Sequence, residues 1–98
     1  MLVSIIIPAY KKEKTIYKDI QRIYSVMSST RWDFELILVD DGSPDKTLKE
    51  ALKFKSPKFF AVGYKENRGK GYAVKYGIAR SKGDYIAFID SGMEIDPN

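Results

Sequence analysis

The chain has 98 residues, 44% hydrophobic and 31% charged, which predicts one globular domain over residues 1–98 and excludes a disordered chain. It lacks cysteine and histidine, which excludes disulfides, thiolate or imidazole metal sites and histidine bases, and fits a cytoplasmic setting. The net charge of +4 reflects lysines spread along the chain, which favours a solvated surface over a nucleic-acid-binding patch.

The first half of the chain predicts two strands separated by a helix. Residues 2–7 form a nearly continuous β-branched run, typical of a strand buried on both faces, and Pro8 should end it. From Thr15, apolar side chains recur at helical spacing and predict one buried helix face. These are Ile16, Ile20, Ile23, Tyr24 and Met27. Residues 34–39 predict the second strand, and Ser43 the N-cap of the next helix.

The second half continues the same alternation. Residues 59–62 predict a short strand near the sheet edge, residues 71–80 a helix that approaches the sheet at Gly77, and residues 85–89 a fourth strand. This order predicts an α/β fold, an open parallel sheet of four strands with helices on both faces. The fourth strand should present an apolar edge that needs covering by another chain or by further polypeptide.

Acidic and glycine-rich segments follow the predicted strands, at the carboxyl ends where open α/β sheets bind ligands. Asp40 and Asp41 follow the second strand, and adjacent carboxylates are best tolerated beside a cation or hydrogen-bond donors. The turn at residues 67–71 enters a helix, so its N–H groups could hold an anion, with Lys70 or Arg68 as a point charge. Asp90 ends an apolar strand, which favours a metal or a ligand donor there. Together these features predict a site for a nucleoside diphosphate with a metal ion.

Four motifs stand in order along the chain, at residues 4–10 (SIIIPAY), 39–47 (VDDGSPDKT), 67–73 (NRGKGYA) and 83–90 (GDYIAFID). Together they resemble the N-terminal half of family 2 inverting glycosyltransferases, which have the Rossmann-like GT-A fold. The similarity is greatest to the polyprenyl-phosphate mannosyl- and glucosyltransferases. The resemblance implies a nucleotide-sugar-binding domain. It also implies that the acceptor half and its catalytic base lie outside these residues, so no catalytic residue is assigned within them.

The resemblance implies a role for residues on all four segments. Tyr10 and Glu13 would lie beside the base and ribose, and Asp41 would accept a hydrogen bond from the base. The turn with Lys70 would lie near the diphosphate, and Asp90 would bind a divalent metal, Mg²⁺ or Mn²⁺. The complete set of expected donor-binding residues is Pro8, Ala9, Tyr10, Glu13, Asp40, Asp41, Asn67, Lys70, Gly71, Asp90 and Ser91.

The expected reaction is transfer of a sugar from a UDP- or GDP-sugar to an acceptor such as a polyprenyl phosphate. A membrane would then be involved only through the lipid-linked acceptor, because no run reaches the ~20 apolar residues of a bilayer span.

The sequence departs from the family pattern at Lys11, where the family has Asn, and at Gly92, where its D-x-D motif has a second acid. These departures leave open a catalytically inactive nucleotide-binding or oligomerisation module, and a homo-oligomer through the free sheet edge is expected. A phosphoacceptor signalling domain is a third class, but it carries its acid pair after the first strand.

Overall fold

Four parallel strands form one sheet in the computed structural model, which describes residues 1–90. The elements in chain order are β1 (Leu2–Ala9), α1 (Ile16–Ser28), β2 (Asp33–Asp41), α2 (Thr47–Ala51), β3 (Phe59–Tyr64), α3 (Lys70–Ala79) and β4 (Tyr85–Phe88). The strand order is β3-β2-β1-β4, and each neighbouring pair is parallel. The predicted open parallel α/β sheet is confirmed, with β3 at one edge and β4 at the other edge of the described part.

The two central strands are covered on both faces, which explains their continuous apolar runs. On one face, alternate residues of β1 and β2 pack against α1, and this cluster includes the fully buried Ile7, Ile16, Ile20, Leu36 and Leu38. On the other face, the residues between them pack against α3, and this cluster comprises Ile6, Ile37, Val39 and Ala73. Helix α3 comes close to β1 at Gly77, as predicted, because a Cβ there would lie 2.6 Å from Ile6 Cγ2.

Strand β1 continues through Pro8 to Ala9, so the prediction that Pro8 ends the strand is wrong. The backbone oxygen of Ile6 accepts a hydrogen bond from Ile89 N at 3.0 Å, which shows that the even-numbered residues of β1 direct their backbone N–H and C=O groups toward β4. The pairing of β1 with β4 ends at Ile6 and Phe88. An N–H at position 8 would point to the same side, beyond the paired part of β4. Because no ladder hydrogen bond is made there, proline is tolerated at this position.

Helix α2 begins later in the chain than the sequence predicts, and Ser43 is not its N-cap. The helix begins at Thr47, and the residue before it, Lys46, makes no side-chain capping bond. The hydroxyl of Ser43 instead accepts a hydrogen bond from Lys11 N at 2.9 Å. The cap prediction failed because this hydroxyl binds a segment that is distant in sequence.

The start of β4 is held to β1 and β2 by a polar contact that the hydrophobic pattern does not predict. The Ser4 hydroxyl is fully buried, donates to Glu35 Oε2 at 2.6 Å and accepts from Gly83 N at 2.8 Å. Glu35 Oε2 also accepts from Lys82 N at 2.7 Å. Within residues 1–90, no helix combines the length and apolar character of a membrane span.

Candidate functional site

The segments that follow β1 and β2 are tied together at the carboxyl end of the sheet. Lys11 N donates to Ser43 Oγ at 2.9 Å, and Lys12 N donates to Thr47 Oγ1 at 2.8 Å. Thr47 is fully buried, and its hydroxyl donates in turn to Asp45 Oδ1. The first segment therefore lies directly against the second.

The carboxylate of Asp41 joins the end of β2 to the turn that precedes α3. Its Oδ1 accepts hydrogen bonds from Tyr64 OH at 2.7 Å and from Arg68 N at 3.0 Å. Its Oδ2 accepts from Asn67 Nδ2 at 2.8 Å and from Gly69 N at 3.0 Å. Asp41 is only 4% exposed, so the turn covers its side chain.

The backbone after Asp41 also touches this turn. Gly42 has a φ of +68°, and a Cβ at this position would lie 2.3 Å from both Asn67 N and Glu66 C. Only glycine satisfies both conditions, because other residues rarely adopt this φ and their Cβ would overlap the turn. The close approach of the two backbones holds the second and third segments together.

The third segment reaches the end of β4 through an ion pair. Lys70 Nζ lies 3.2 Å from Asp90 Oδ1 and 3.3 Å from Asp90 Oδ2, and it also lies 5.5 Å from the ring centroid of Phe88. Both charged side chains remain partly exposed, 42% for Lys70 and 36% for Asp90. The four segments that the sequence placed at strand ends are thus linked by contacts along one rim of the sheet.

Three groups at this rim have perturbed pKa values. Burial raises the pKa of Asp40, although hydrogen bonding to Ser43 opposes the shift. Burial and the hydrogen bond to the Asp41 carboxylate raise the pKa of Tyr64 well above its usual value, so this phenol remains a donor. Burial opposes ionisation of Asp45, but hydrogen bonds from Thr47 and from the backbone N–H of Glu13 outweigh it and lower the pKa of Asp45.

The predicted donor-binding residues differ in how accessible they are. Pro8, Ala9 and Asp40 are buried at the strand ends, whereas Tyr10 is 37% exposed, with Lys11 Nζ 5.2 Å from its ring centroid. Glu13 lines a hollow of about 310 Å³, which is also lined by Lys11, Lys12, Lys14, Thr15 and Asp45. Asn67, Lys70 and Gly71 are exposed, and Ser91 and Gly92 lie outside the described residues.

The sequence prediction missed two residues of this rim. Tyr64 was not recognised because β3 was expected to end at Val62, whereas it runs to Tyr64. The period-2 alternation that places Val62 and Tyr64 on one face of β3 could have revealed it. Thr47 was also missed, and its buried hydroxyl links Lys12 to Asp45.

The carboxylates at the rim do not form a preformed metal cage. Residues 1–90 contain no group of three or more acidic, histidine or cysteine side chains that could together hold a metal ion. Asp90 is nevertheless a carboxylate that is 36% exposed and pairs with Lys70, and Mg²⁺ often takes one or two carboxylates together with substrate phosphates and waters. The site therefore fits a metal that arrives with a phosphate ligand.

Comparison with known proteins identifies the family. The profile of the family described as glycosyl transferase family 2 matches residues 4–98. The chain belongs to this family. The resemblance seen in the four motifs is thereby confirmed, and the GT-A fold is confirmed by similarity to solved glycosyltransferase structures.

Among its relatives, this family 2 chain is 34% identical over 98 residues to an undecaprenyl-phosphate 4-deoxy-4-formamido-L-arabinose transferase from Pseudomonas fluorescens, with 97% of the chain and 29% of the relative covered. One solved structure is that of glucosyl-3-phosphoglycerate synthase from Mycobacterium tuberculosis with Mn²⁺, UDP and phosphoglyceric acid. It is 30% identical in sequence, with a TM-score of 0.71, and the match covers 92% of this chain and 32% of that one. A mannosyltransferase from Pyrobaculum calidifontis, solved with GDP-Man and Mn²⁺, is 22% identical with a TM-score of 0.75 over 98% of this chain and 28% of that one. The chain spans less than a third of the length of the curated relatives it matches.

Proposed function

We propose that this chain is the nucleotide-sugar-binding part of an inverting glycosyltransferase that transfers a sugar from a UDP- or GDP-sugar, with a polyprenyl phosphate as the acceptor. The observation that carries the proposal is the set of contacts that links all four strand-end segments along one rim. A nucleotide sugar bound at this rim would contact positively charged side chains, backbone N–H groups and carboxylates at the same time. The lipid-phosphate acceptor is supported by the relative named as an undecaprenyl-phosphate transferase.

The diphosphate is assigned to the turn before α3. Helix α3 begins at Lys70, so its first N–H groups lack partners within the helix and its N-terminus carries a partial positive charge. Gly71 follows with open space where a Cβ would stand, which lets a phosphate approach the backbone. Lys70 would add a full positive charge. Asn67 lies on the same turn, and its side-chain Nδ2 already donates to Asp41.

The base and ribose are assigned to the segments after β1 and β2. The exposed ring of Tyr10 offers a stacking surface next to Pro8 and Ala9. Glu13 and Asp40 are the carboxylates that would accept from ribose or base hydroxyl and N–H groups. Asp41 belongs to the same end of β2 but is already hydrogen-bonded within the protein.

Asp90, together with Ser91, the next residue in the sequence, is assigned to the metal ion that accompanies the diphosphate of the nucleotide sugar. A bound Mg²⁺ or Mn²⁺ would neutralise negative charge that develops on the departing diphosphate. Lys70 already pairs with Asp90 at 3.2 Å, so this lysine balances the carboxylate before a donor binds and would turn to the phosphates afterwards. The base that deprotonates the acceptor is assigned to polypeptide outside residues 1–98.

Isothermal calorimetry of the chain with UDP and GDP, each with Mn²⁺, tests the donor site. One nucleotide should bind, and Lys70→Ala should weaken it about tenfold, as expected for loss of one charge-assisted phosphate contact. Lys75→Ala is the matched control, because Lys75 is an exposed lysine of the same helix outside the proposed site. Absence of binding by both nucleotides at millimolar concentration contradicts the proposal.

A second candidate function is self-association through β4, in a chain that binds nucleotide without catalysis. Tyr85 and Ile86 are 62% and 44% exposed on this edge strand, which carries no charged residue. Beside it lies a hollow of about 520 Å³, lined by Met1, Val3, Ile5, Met27, Thr30, Trp32 and Tyr85. Analytical ultracentrifugation should then show a dimer that Ile86→Lys dissociates, whereas a monomer at all concentrations contradicts this candidate.

A further inference from the structure

Two residues assigned to the base and ribose lie on an irregular segment of the chain. Tyr10 and Glu13 stand between the end of β1 and the start of α1. Lys11, which lies between them, has a φ of 55°, a conformation that residues with a Cβ rarely adopt. Such a backbone persists only where the surrounding structure imposes it. The segment is therefore held by contacts from elsewhere in the chain, and one of these is the hydrogen bond from Lys11 N to Ser43 Oγ.

Thr47 provides the central contact to this segment. Its Oγ1 accepts a hydrogen bond from Lys12 N at 2.8 Å and donates one to Asp45 Oδ1. Because a hydroxyl carries a single proton, donation to Asp45 leaves its lone pairs for the N–H of Lys12. Asp45 also accepts from Thr47 N at 3.1 Å and from the backbone N–H of Glu13. Thr47 and Asp45 together therefore hold the backbone of residues 12 and 13.

The backbone of Lys12 is held on both sides. Its carbonyl accepts hydrogen bonds from Thr15 N at 3.1 Å and from Ile16 N at 2.8 Å, and Ile16 is the first residue of α1. The contact from Thr47 to Lys12 N therefore ties the start of α1 to the segment after β2. Tyr10 and Glu13 lie within two positions of Lys12, so their directions depend on this tie.

Thr47 acts on binding only through other residues, because it is fully buried and its hydroxyl is engaged within the protein. The turn at residues 67–71 is held by different hydrogen bonds, from Arg68 N and Gly69 N to Asp41. Loss of the Thr47 hydroxyl should therefore disturb the nucleoside side of the site and spare the diphosphate side.

We propose that Thr47 is a positioning residue for the nucleoside part of the donor, with Ser43 in a supporting role. The two hydroxyls fix the backbone of residues 11–13 so that the ring of Tyr10 and the carboxylate of Glu13 face the base and ribose. The inference rests on the proposed donor site. It assigns control of nucleoside recognition to a buried hydroxyl that touches no ligand.

Thr47→Val tests this role because valine keeps the branched shape and lacks the hydroxyl. Thr30→Val is the matched control, an exposed threonine beyond the other end of α1. Calorimetry with Mn²⁺ measures the affinities for the nucleoside diphosphate that binds and for inorganic pyrophosphate. Thr47→Val should weaken the nucleoside diphosphate about tenfold and pyrophosphate by less than about twofold, whereas Thr30→Val should change neither. Equal weakening of both ligands, or an unchanged affinity for the nucleotide, overturns the inference.

The conservative variant Thr47→Ser separates the hydroxyl from its packing. Serine keeps the hydroxyl and loses the methyl group, so Thr47→Ser should retain the nucleotide affinity even where the lost methyl lowers the unfolding temperature. The reverse order, in which Thr47→Val binds the nucleotide better than Thr47→Ser does, would show that Thr47 contributes packing alone.

A milder variant covers the case in which Thr47→Val does not fold. Ser43→Ala removes one hydrogen bond, to Lys11 N, from a partly buried position. It should weaken the nucleotide by a smaller factor than Thr47→Val and leave pyrophosphate unchanged. Identical nucleotide affinities of Ser43→Ala and the unmodified chain count against the inference.

Amide exchange tests the positioning role without any ligand. The amide of Lys12 should exchange with deuterium about tenfold faster in Thr47→Val than in Thr30→Val, because it loses its hydrogen-bond acceptor. Equal exchange in the two variants overturns the positioning role. Absence of nucleotide binding by the unmodified chain refutes the donor site instead, so the two failures are distinguishable.

Discussion

Replacing Gly42 by alanine should destabilise the protein strongly, because two independent penalties act at this position. The φ of +68° places the backbone in the left-handed region, which costs about 1–2 kcal/mol for a residue with a Cβ. The new Cβ would also lie 2.3 Å from Asn67 N and Glu66 C, which are backbone atoms and cannot rotate away. Overpacking of this kind adds about 1–3 kcal/mol.

Together the two penalties amount to about 2–5 kcal/mol, a large share of the roughly 5–15 kcal/mol that stabilises a domain. Urea unfolding followed by circular dichroism measures the loss. With a denaturant dependence of about 2 kcal/mol per molar, the midpoint should fall by about 1–2.5 M.

Gly71→Ala is the matched control for this experiment. Gly71 lies in the first turn of α3, where an added Cβ would have nothing within 4 Å, and alanine has the higher helix propensity. Its unfolding midpoint should therefore stay the same or rise. If Gly42→Ala unfolds at the same urea concentration as Gly71→Ala, the backbone contact between residue 42 and the turn does not exist in solution.

Three further substitutions have expected effects on stability. Lys11 has a φ of 55°, which costs about 1–2 kcal/mol in a residue with a Cβ, whereas the entropic cost of glycine is roughly 0.5–1 kcal/mol. Lys11→Gly should therefore raise the free energy of unfolding by about 0.5–1 kcal/mol in a urea titration. Ser4→Ala should lower it by about 1–3 kcal/mol, because Glu35 and the Gly83 N–H would lose a buried partner, and an unchanged midpoint would contradict that contact. Burial raises the pKa of Asp40 above 3.8, its ordinary value. The folded state therefore gains stability from protonated Asp40 below pH 3.8, and this stability is lost as the pH rises through the folded-state pKa. Asp40→Asn should therefore be more stable than the unmodified chain at pH 7, and the difference should disappear near pH 3; a difference independent of pH would contradict this assignment.

The sheet was predictable because its signals are local. The β-branched runs of β1 and β2 and the helical spacing of Ile16, Ile20 and Ile23 each indicate an element without reference to the rest of the chain. The carboxyl-end rule then predicted which segments would meet. These parts of the prediction depend only on periodicity and on the chirality of parallel connections.

Side-chain partners across the rim were not predictable in the same way. Ser43 fits the pattern of a helix cap, but its hydroxyl binds Lys11 N, which is 32 residues away. The sequence also did not predict the donors that Asp41 binds within the chain, Tyr64 OH and Gly69 N, which are 23 and 28 residues away. A polar residue at a strand end has several partners within reach, and only the three-dimensional arrangement decides among them.

Paramagnetic broadening by Mn²⁺ tests the donor site most directly. Amide signals of the labelled chain are followed by NMR while Mn²⁺ is added in the presence of UDP or GDP, with Mn²⁺ alone as the control. If the four segments form one donor site, nucleotide-dependent broadening should centre on residues 67–71 and Asp90 and spare Asp33 and Asp84 at the opposite end of the sheet. Broadening that centres on that opposite end, or that does not depend on either nucleotide, would show that the rim binds no nucleotide–metal complex.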